Sequence, residues 1–222
     1  MSRPSTPFSH LGRAAYCPRQ LHYAKRRDDH EPPPEVEAVR ELAFRYDELR
    51  TAADEELADL PLAVGPTTYR ANLERLTARD DWAELADPSR RDVFLRGRDC
   101  HGTAHKILAG DPPTPTVVSP GSPPDRGVWE PQRVRAVAVA KAVAWERERE
   151  IPRALVEYPA HGVVRTVRLT TRNAGAYRRT LWTVRQMDGV PPRVRDSAKC
   201  AACEYRESCG TKTRSLKTLL GL

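Results

Sequence analysis

Three of the chain's five cysteines fall within ten residues near its C-terminus, in the stretch KCAACEYRESC. The spacing Cys200-x2-Cys203-x5-Cys209 holds three thiols close enough to surround one metal centre, and a zinc ion or an iron–sulfur cluster needs four ligands. Cys17 is the best candidate for the fourth, since its flanks (YCPR) resemble a ligand turn more than those of the alternative, Cys100 (RGRDCHG). A bond to Cys17 would close a very long loop and join the two chain ends.

The number of cysteines also indicates the redox environment. An odd count in a chain without a secretory signal favours metal ligands plus one spare over a disulfide framework. The N-terminal stretch MSRPSTPFSHLGRAAYC has no continuous apolar core, and no apolar run approaches the ~20 residues that span a bilayer. We therefore expect a cytoplasmic protein that makes no membrane contact.

The positive charge of the chain is concentrated in its C-terminal part. Residues 125–222 carry 20 of the 37 Lys and Arg but only 10 of the 30 Asp and Glu. Arginine supplies 31 of the basic residues, and its planar fork of donors suits phosphate. This composition supports nucleic-acid binding, although a GC-rich genome would enrich arginine in any protein.

Periodicity and turn residues predict a mixed α/β core in a single domain spanning residues 1–222. The predicted helices are one from Ser9 with a break at Pro18, an amphipathic helix over 36–49, and helices over 68–85, 132–150 and 171–187, the last of which Thr171 or Asn173 can cap. The predicted strands lie within 91–108, at 116–119 in a proline-rich loop, and in a hairpin of 154–158 and 163–169 around Gly162. Trp129 and Trp145 bracket the helix over 132–150, where we expect core packing, with base stacking as the alternative.

The pairing of YCPRQLHY near the N-terminus with KCAACEYRESC near the C-terminus resembles the RecB-like exonucleases of CRISPR systems, the fourth Cas protein family. The similarity includes the Cys-Pro-Arg triplet with a following aromatic residue, the Tyr-Arg before the last cysteine, and the Pro-Pro that precedes the cluster. The predicted order helix, hairpin, helix between the two motifs also agrees. The resemblance covers nearly the whole chain and is weakest over residues 50–95.

This resemblance implies a fold and a cofactor. The family has a PD-(D/E)XK restriction-endonuclease-like core, a mixed sheet flanked by helices, and one early and three late cysteines hold a 4Fe–4S cluster. We therefore expect residues 9–27 and 196–210 to form the cluster-binding region, which joins the N- and C-terminal segments. The expected ligands are Cys17, Cys200, Cys203 and Cys209, and zinc is the alternative metal.

The resemblance also locates the catalytic positions, and most of them have changed. In the family an Asp and a Glu bind a divalent ion, a Lys assists the attacking water, and a Gln-x-x-x-Tyr helix completes the site. The residues at these positions are His105 for Asp, Val118 and Pro120 for Glu-x-Lys, Gln132 for Gln, and Ala136 for Tyr. We therefore expect a pseudoenzyme that binds no Mg²⁺ or Mn²⁺ for hydrolysis.

The leading hypothesis is an iron–sulfur-binding, DNA-binding relative of these exonucleases that has lost catalysis. It would act in CRISPR adaptation or DNA processing, and so in antiviral defence, by binding single-stranded DNA or DNA ends, or by partnering adaptation proteins or other nucleases. Phosphate contacts are expected from residues near the cluster and on the helix that borders the former active site. These residues are Arg19, Lys25, Arg26, Arg27, Gln132, Arg133 and Arg135.

Two alternative functions remain open on the sequence. The first is an active metal-dependent exonuclease of single-stranded DNA whose acids come from other positions, such as Asp99 or Asp111. The second is a structural interaction module in which a zinc or iron–sulfur staple only joins the chain ends. The first predicts metal-dependent cleavage, and the second predicts no DNA affinity at moderate salt.

Overall fold

A six-stranded mixed sheet forms the centre of the protein. The structure is a computed structural model and describes residues 4–27 and 32–210. The strands are β1 (Thr6–Pro7), β2 (Arg91–Arg96), β3 (Cys100–Leu108), β4 (Thr114–Val118), β5 (Arg153–Tyr158) and β6 (Val163–Arg168). The helices are α1 (Phe8–Tyr16), α2 (Pro18–Ala24), α3 (Pro34–Glu41), α4 (Tyr46–Thr51), α5 (Asp54–Ala58), α6 (Pro66–Thr77), α7 (Trp82–Ala86), α8 (Glu130–Glu146), α9 (Thr171–Arg185) and α10 (Ser197–Ala201). Short 3-10 turns lie at Leu42–Phe44 and Pro159–His161.

The strand order is β1-β3-β4-β5-β6, and β2 also pairs with β3. Strands β2, β3 and β4 form an antiparallel meander, α8 then crosses over, and β5 returns parallel to β4. The β5–β6 hairpin turns at Gly162, whose φ of 60° is easy for glycine and costly for other residues. The predicted mixed α/β sheet flanked by helices is therefore confirmed.

Helices cover both faces of the sheet, which explains the nearly continuous apolar runs of its central strands. Alternate residues point to opposite sides, so that Val117 and Val156 pack against α1, α8 and α9. Val118 and Leu155 pack against the helices of residues 42–85. The sheet therefore separates two apolar cores, and α8 lies buried along the first of them.

Several local predictions differ from the structure in instructive ways. The predicted helix over 36–49 is divided into α3, a 3-10 turn and α4, and the predicted helix over 68–85 is α6 followed by α7. The cap of α9 is Thr170, whose hydroxyl accepts a hydrogen bond from the Asn173 N–H at 3.3 Å, and not Thr171 or Asn173. The core role expected for Trp129 and Trp145 is wrong, since these side chains are 54% and 56% exposed.

Candidate metal centre and nucleic-acid interface

Four of the five cysteines line one pocket at the junction of the two chain ends: Cys17, Cys200, Cys203 and Cys209. All four are half-buried and free of disulfides. Cys100 is not among them, because it is buried in the core, with its Sγ 3.4 Å from the Tyr177 Oη and 3.6 Å from the Ala138 carbonyl. The structure thus brings together the expected ligand set and separates the alternative thiol from it.

Local backbone chemistry places each of the four thiols. Cys17 lies in extended backbone between α1 and α2, because Pro18 has no N–H and begins a new helix there. Asp196 caps α10 through two backbone N–H groups, each at 3.1 Å, and so fixes the helix that carries Cys200. Cys203 follows one turn later, and Cys209 closes a further turn through its N–H bond to the Tyr205 carbonyl at 2.8 Å.

Contacts other than thiols also join the two chain ends. The Tyr16 hydroxyl donates to the Lys199 carbonyl at 3.0 Å. The rings of Tyr23 and Tyr205 stack with centroids 6.1 Å apart, and the Arg27 guanidinium lies 4.8 Å above the Tyr205 ring. Since Tyr205 is 4% exposed, this stack buries an aromatic ring directly beside the four cysteines.

The donor chemistry of the pocket fits a soft metal, whereas the arrangement of its side chains is not that of a single-ion site. Burial raises the pKa of the Cys203 thiol, and the negative charges of Cys17, Glu204 and Cys209 act in the same direction. Across residues 4–27 and 32–210, no group of three or more His, Cys, Asp or Glu side chains is arranged to hold one metal ion. Four thiols that line one pocket are the donor set that structural zinc sites and iron–sulfur clusters share.

The residues at the positions where the resemblance would place catalytic groups also lie together, at the end of β4. The His105 Nδ1 accepts a hydrogen bond from the Val118 N–H at 3.0 Å, beyond the last ladder pair between β3 and β4. One residue further along, the Ser119 hydroxyl accepts from the Gln132 Nε2 at 3.2 Å. Pro120 is exposed, so a histidine, a valine and a proline occupy the place where hard metal ligands are expected.

Three cationic side chains lie near this position. Burial lowers the pKa of His105 well below its usual value, and the nearby charges of Arg135, Arg40 and Lys106 lower it further. Burial, with a contribution from Arg40, lowers the pKa of Arg135 to about 10. Among the described residues, Arg40 is paired with Glu37 and Asp92 and Lys106 with Glu157, so Arg135 is the one of these three cations without a carboxylate partner.

The predicted phosphate-binding residues form two groups in the structure. Lys25, Arg26 and Arg27 are exposed at the end of α2, and Arg19 lines the cysteine pocket. Gln132, Arg133 and Arg135 lie on the first turns of α8, where Arg135 is near His105 and Gln132 bonds Ser119. Within the described ranges, Arg135 makes no ion pair or hydrogen bond, and its Nε is buried without a partner.

The alternative acids do not converge. Asp99 is paired with Arg185 at 3.0 Å, and Asp111 is paired with Arg149. These acids flank opposite ends of β3, so about 30 Å of extended chain separates them. They cannot share one metal ion.

A buried ion pair lies on the other side of the sheet and is not evident in the sequence. The Lys106 Nζ donates to the Glu157 Oε2 at 2.8 Å and to the Leu85 carbonyl at 2.8 Å, and both charged side chains are 0% exposed. The Thr116 hydroxyl donates to the other carboxylate oxygen at 2.6 Å. The only available signal is a charge inside each of two apolar strands, AHKIL and LVEY.

Comparisons with known proteins do not assign the chain to a family. No family model matches the sequence, and a search of characterised proteins found no similar chain. In the part of the chain that the structure describes, no helix is long and apolar enough to cross a membrane. A function must therefore be argued from the arrangement of the residues themselves.

Proposed function

We propose that this protein is an iron–sulfur-binding, DNA-binding relative of the RecB-like CRISPR-associated exonucleases that has lost hydrolysis. The observation that carries the proposal is the shared pocket of Cys17, Cys200, Cys203 and Cys209, formed from segments more than 180 residues apart. The meander, crossover helix and parallel strand around α8 support a PD-(D/E)XK-like core. Sequence motif and topology thus favour the same family.

The four cysteines would hold a 4Fe–4S cluster, with zinc as the alternative. When bound, the cluster supplies a covalent link between the N- and C-terminal segments through their thiolates. The protein's own contribution is to place the ligands: Pro18 ends α1 beside Cys17, and Asp196 caps the helix of Cys200. The Tyr23–Tyr205 stack orients the same two segments next to the pocket.

Loss of hydrolysis follows from the donors at the former catalytic positions. Metal-assisted phosphodiester cleavage needs carboxylate oxygens to hold the ion that generates the nucleophile. Val118 has no side-chain donor, and His105 already uses its Nδ1 to accept from the backbone. The unpaired Arg135 guanidinium supplies positive charge at this place without a metal, which suits binding of a phosphate more than its cleavage.

The function of such a protein is to bind DNA, single-stranded or at ends, in CRISPR adaptation or DNA processing. Arg19, Lys25, Arg26 and Arg27 would contact phosphates beside the cluster, and Gln132, Arg133 and Arg135 would do so at the former active site. A partner nuclease or adaptation protein would then carry out the chemistry. The alternative of a purely structural module keeps the cysteine staple but predicts no DNA affinity.

The metal content of anaerobically purified protein is the first test. We expect about four irons and four sulfides per chain with a visible charge-transfer absorption. Cys17→Ala should lose the cluster, whereas the matched variant Cys100→Ala should keep it, because Cys100 lies in the core. One zinc per chain would replace the iron–sulfur assignment, and a metal-free wild type would overturn the metal centre altogether.

DNA binding is tested by fluorescence anisotropy with a single-stranded oligonucleotide over a range of salt concentrations. Each lost phosphate contact should reduce the slope of log K against log salt by about 0.7. Arg26→Gln and Arg135→Gln should show this change, and the control Arg172→Gln, exposed on α9, should not. Absence of binding would favour the structural module, and Mn²⁺-dependent cleavage that Asp99→Asn abolishes would favour an active nuclease.

A further inference from the structure

A second pocket, distinct from the cysteine pocket, opens at the far end of α8. It has a volume of about 310 Å³, within the range of ~300–1,000 Å³ that is usual for ligand sites. Arg98, Asp99, Lys141, Trp145 and Tyr177 contribute to its lining. Trp145 is the thirteenth residue after Gln132, a distance of about 20 Å along α8, so the pocket is not part of the former catalytic position.

The backbone between β2 and β3 is built tightly against α8 to form one wall. The Gly97 N–H donates to the Cys100 carbonyl at 2.9 Å, which closes the turn that carries Arg98 and Asp99. A Cβ on Gly97 would lie 2.8 Å from the Ala142 Cα, closer than any side chain can approach a backbone atom. The absence of a side chain at Gly97 therefore lets this turn rest on the helix.

Two cations and one carboxylate, namely Arg98, Lys141 and Asp99, are the charged residues in the lining of the pocket. Asp99 is neutralised by Arg185 at 3.0 Å. In the described ranges neither Arg98 nor Lys141 pairs with a carboxylate, and the Lys141 Nζ instead lies 5.8 Å from the centre of the Tyr177 ring. Two cations at the mouth of one cavity are suited to a phosphate group.

An exposed indole lies beside these cations. Trp145 is 56% exposed, although a ring of this size normally contributes to a core or an interface. Every nucleobase offers a π-face that stacks on such a ring. The Cys100 thiol at the base of the pocket does not suggest covalent chemistry, because burial raises its pKa to about 11 and keeps it protonated at neutral pH.

We propose that this pocket binds a nucleotide unit, with the base stacked on Trp145 and the phosphate held by Lys141 and Arg98. A free nucleoside monophosphate and the phosphorylated end of a single strand offer the same chemistry. The pocket goes beyond the DNA-binding surface proposed above and does not depend on that surface. It gives the protein a second recognition site, separated from the first by most of the length of α8.

The test measures binding of two probes, dAMP by calorimetry and a 5′-phosphorylated single-stranded octamer by anisotropy. Trp145→Ala should weaken whichever probe occupies the pocket roughly 5- to 150-fold. Trp182→Ala is the matched control, because Trp182 is 65% exposed on α9 and does not line the pocket. Lys141→Gln should also weaken binding and reduce the salt slope of the octamer by about 0.7.

The outcomes separate this site from the DNA surface. Binding of dAMP that Trp145→Ala and Lys141→Gln both weaken supports the pocket as a free nucleotide site, whatever the octamer does. Weakening of the octamer alone supports a site for a strand end. If neither variant affects either probe, the pocket proposal is overturned, while octamer binding that depends on Arg135 would leave the DNA surface intact. Circular dichroism of each variant controls for folding.

Discussion

Replacing Glu157 by glutamine should destabilise the protein far more than the loss of any surface ion pair. The substitution keeps the shape of the side chain but removes the charge opposite Lys106, in a place where both side chains are 0% exposed. The Lys106 ammonium group donates to the carbonyls of Ala43 and Leu85 and to the Glu157 carboxylate. These three bonds use all three N–H groups of the ammonium. Among the described residues, the Glu157 carboxylate is the one group that neutralises the Lys106 charge.

The expected loss is about 3–5 kcal/mol in the free energy of unfolding, because removal of one partner leaves a buried charge uncompensated. Deprotonation of Lys106 sets an upper limit. Moving its pKa from 10.5 down to pH 7 costs about 1.4 kcal/mol for each unit, or about 5 kcal/mol in all. Since domains of this kind are stable by ~5–15 kcal/mol, the variant should be marginal at neutral pH.

Urea denaturation followed by circular dichroism measures this loss. The control is Asp87→Asn, which breaks the surface pair with Arg91 (side chains 93% and 47% exposed) and should cost less than ~1 kcal/mol. The double variant Lys106→Met/Glu157→Gln should recover part of the loss, because no buried charge then remains. Equal costs for Glu157→Gln and Asp87→Asn would refute the buried pair.

The pH dependence of Glu157→Gln provides an independent check with a defined sign. Burial lowers the pKa of Lys106, and the carboxylate opposes that shift, so its removal leaves the folded pKa further below 10.5. Between the two values the unfolded chain binds more protons than the folded chain, and the free energy of unfolding therefore rises with pH. The deficit of the variant should shrink between pH 7 and pH 9, and a deficit that grows would contradict this account.

Three further changes test other parts of the structure. His105→Asn keeps an acceptor for the backbone N–H but cannot titrate. Since the folded pKa of His105 lies below 6.5, the wild type should lose stability as pH falls from 6.5 to 5, and the variant should lose less. Urea denaturation midpoints measure both losses, and the part that comes from His22, whose pKa is also lowered, should be the same in both proteins. Gly97→Ala should lower stability by about 1–3 kcal/mol through overpacking against α8, whereas Gly121→Ala, which meets nothing within 4 Å, should leave the thermal midpoint within a degree or two. Tyr205→Ala removes the stacked ring that joins the chain ends, so trypsin should cleave metal-free protein between residues 186 and 196 several-fold faster, and an unchanged rate would contradict that role.

Elements with strong local signals could be predicted from the sequence. The helix over 132–150 corresponds to α8 and the hairpin around Gly162 to β5 and β6, each within a few residues. Their signals lie within short windows: proline at the start of a helix and glycine at a left-handed turn. The grouping of Cys17 with the three late cysteines was expected as well, because only a limited set of thiols was available.

Features that depend on distant partners could not be predicted. Nothing near Lys106 in the sequence reveals Glu157, since the two meet only when β3, β4 and β5 align. The exposure of Trp145 was missed for a related reason. Its place at the end of an apolar helix suggested core packing, but the indole is exposed and lines the second pocket instead.

Charged side chains in two places of the structure bear on the proposed loss of hydrolysis. At the end of β4 the expected carboxylate and lysine positions carry a histidine, a valine and a proline, and Arg135 provides the positive charge. A lysine and a glutamate do occur in the sheet, but as the Lys106–Glu157 pair, buried on both sides and closed to solvent. A fixed guanidinium can attract a phosphate but cannot generate a hydroxide nucleophile. Under the function proposed above, this arrangement would favour retention of nucleic acid over its cleavage, and the cysteine-lined junction would hold the chain ends that frame the proposed binding surface.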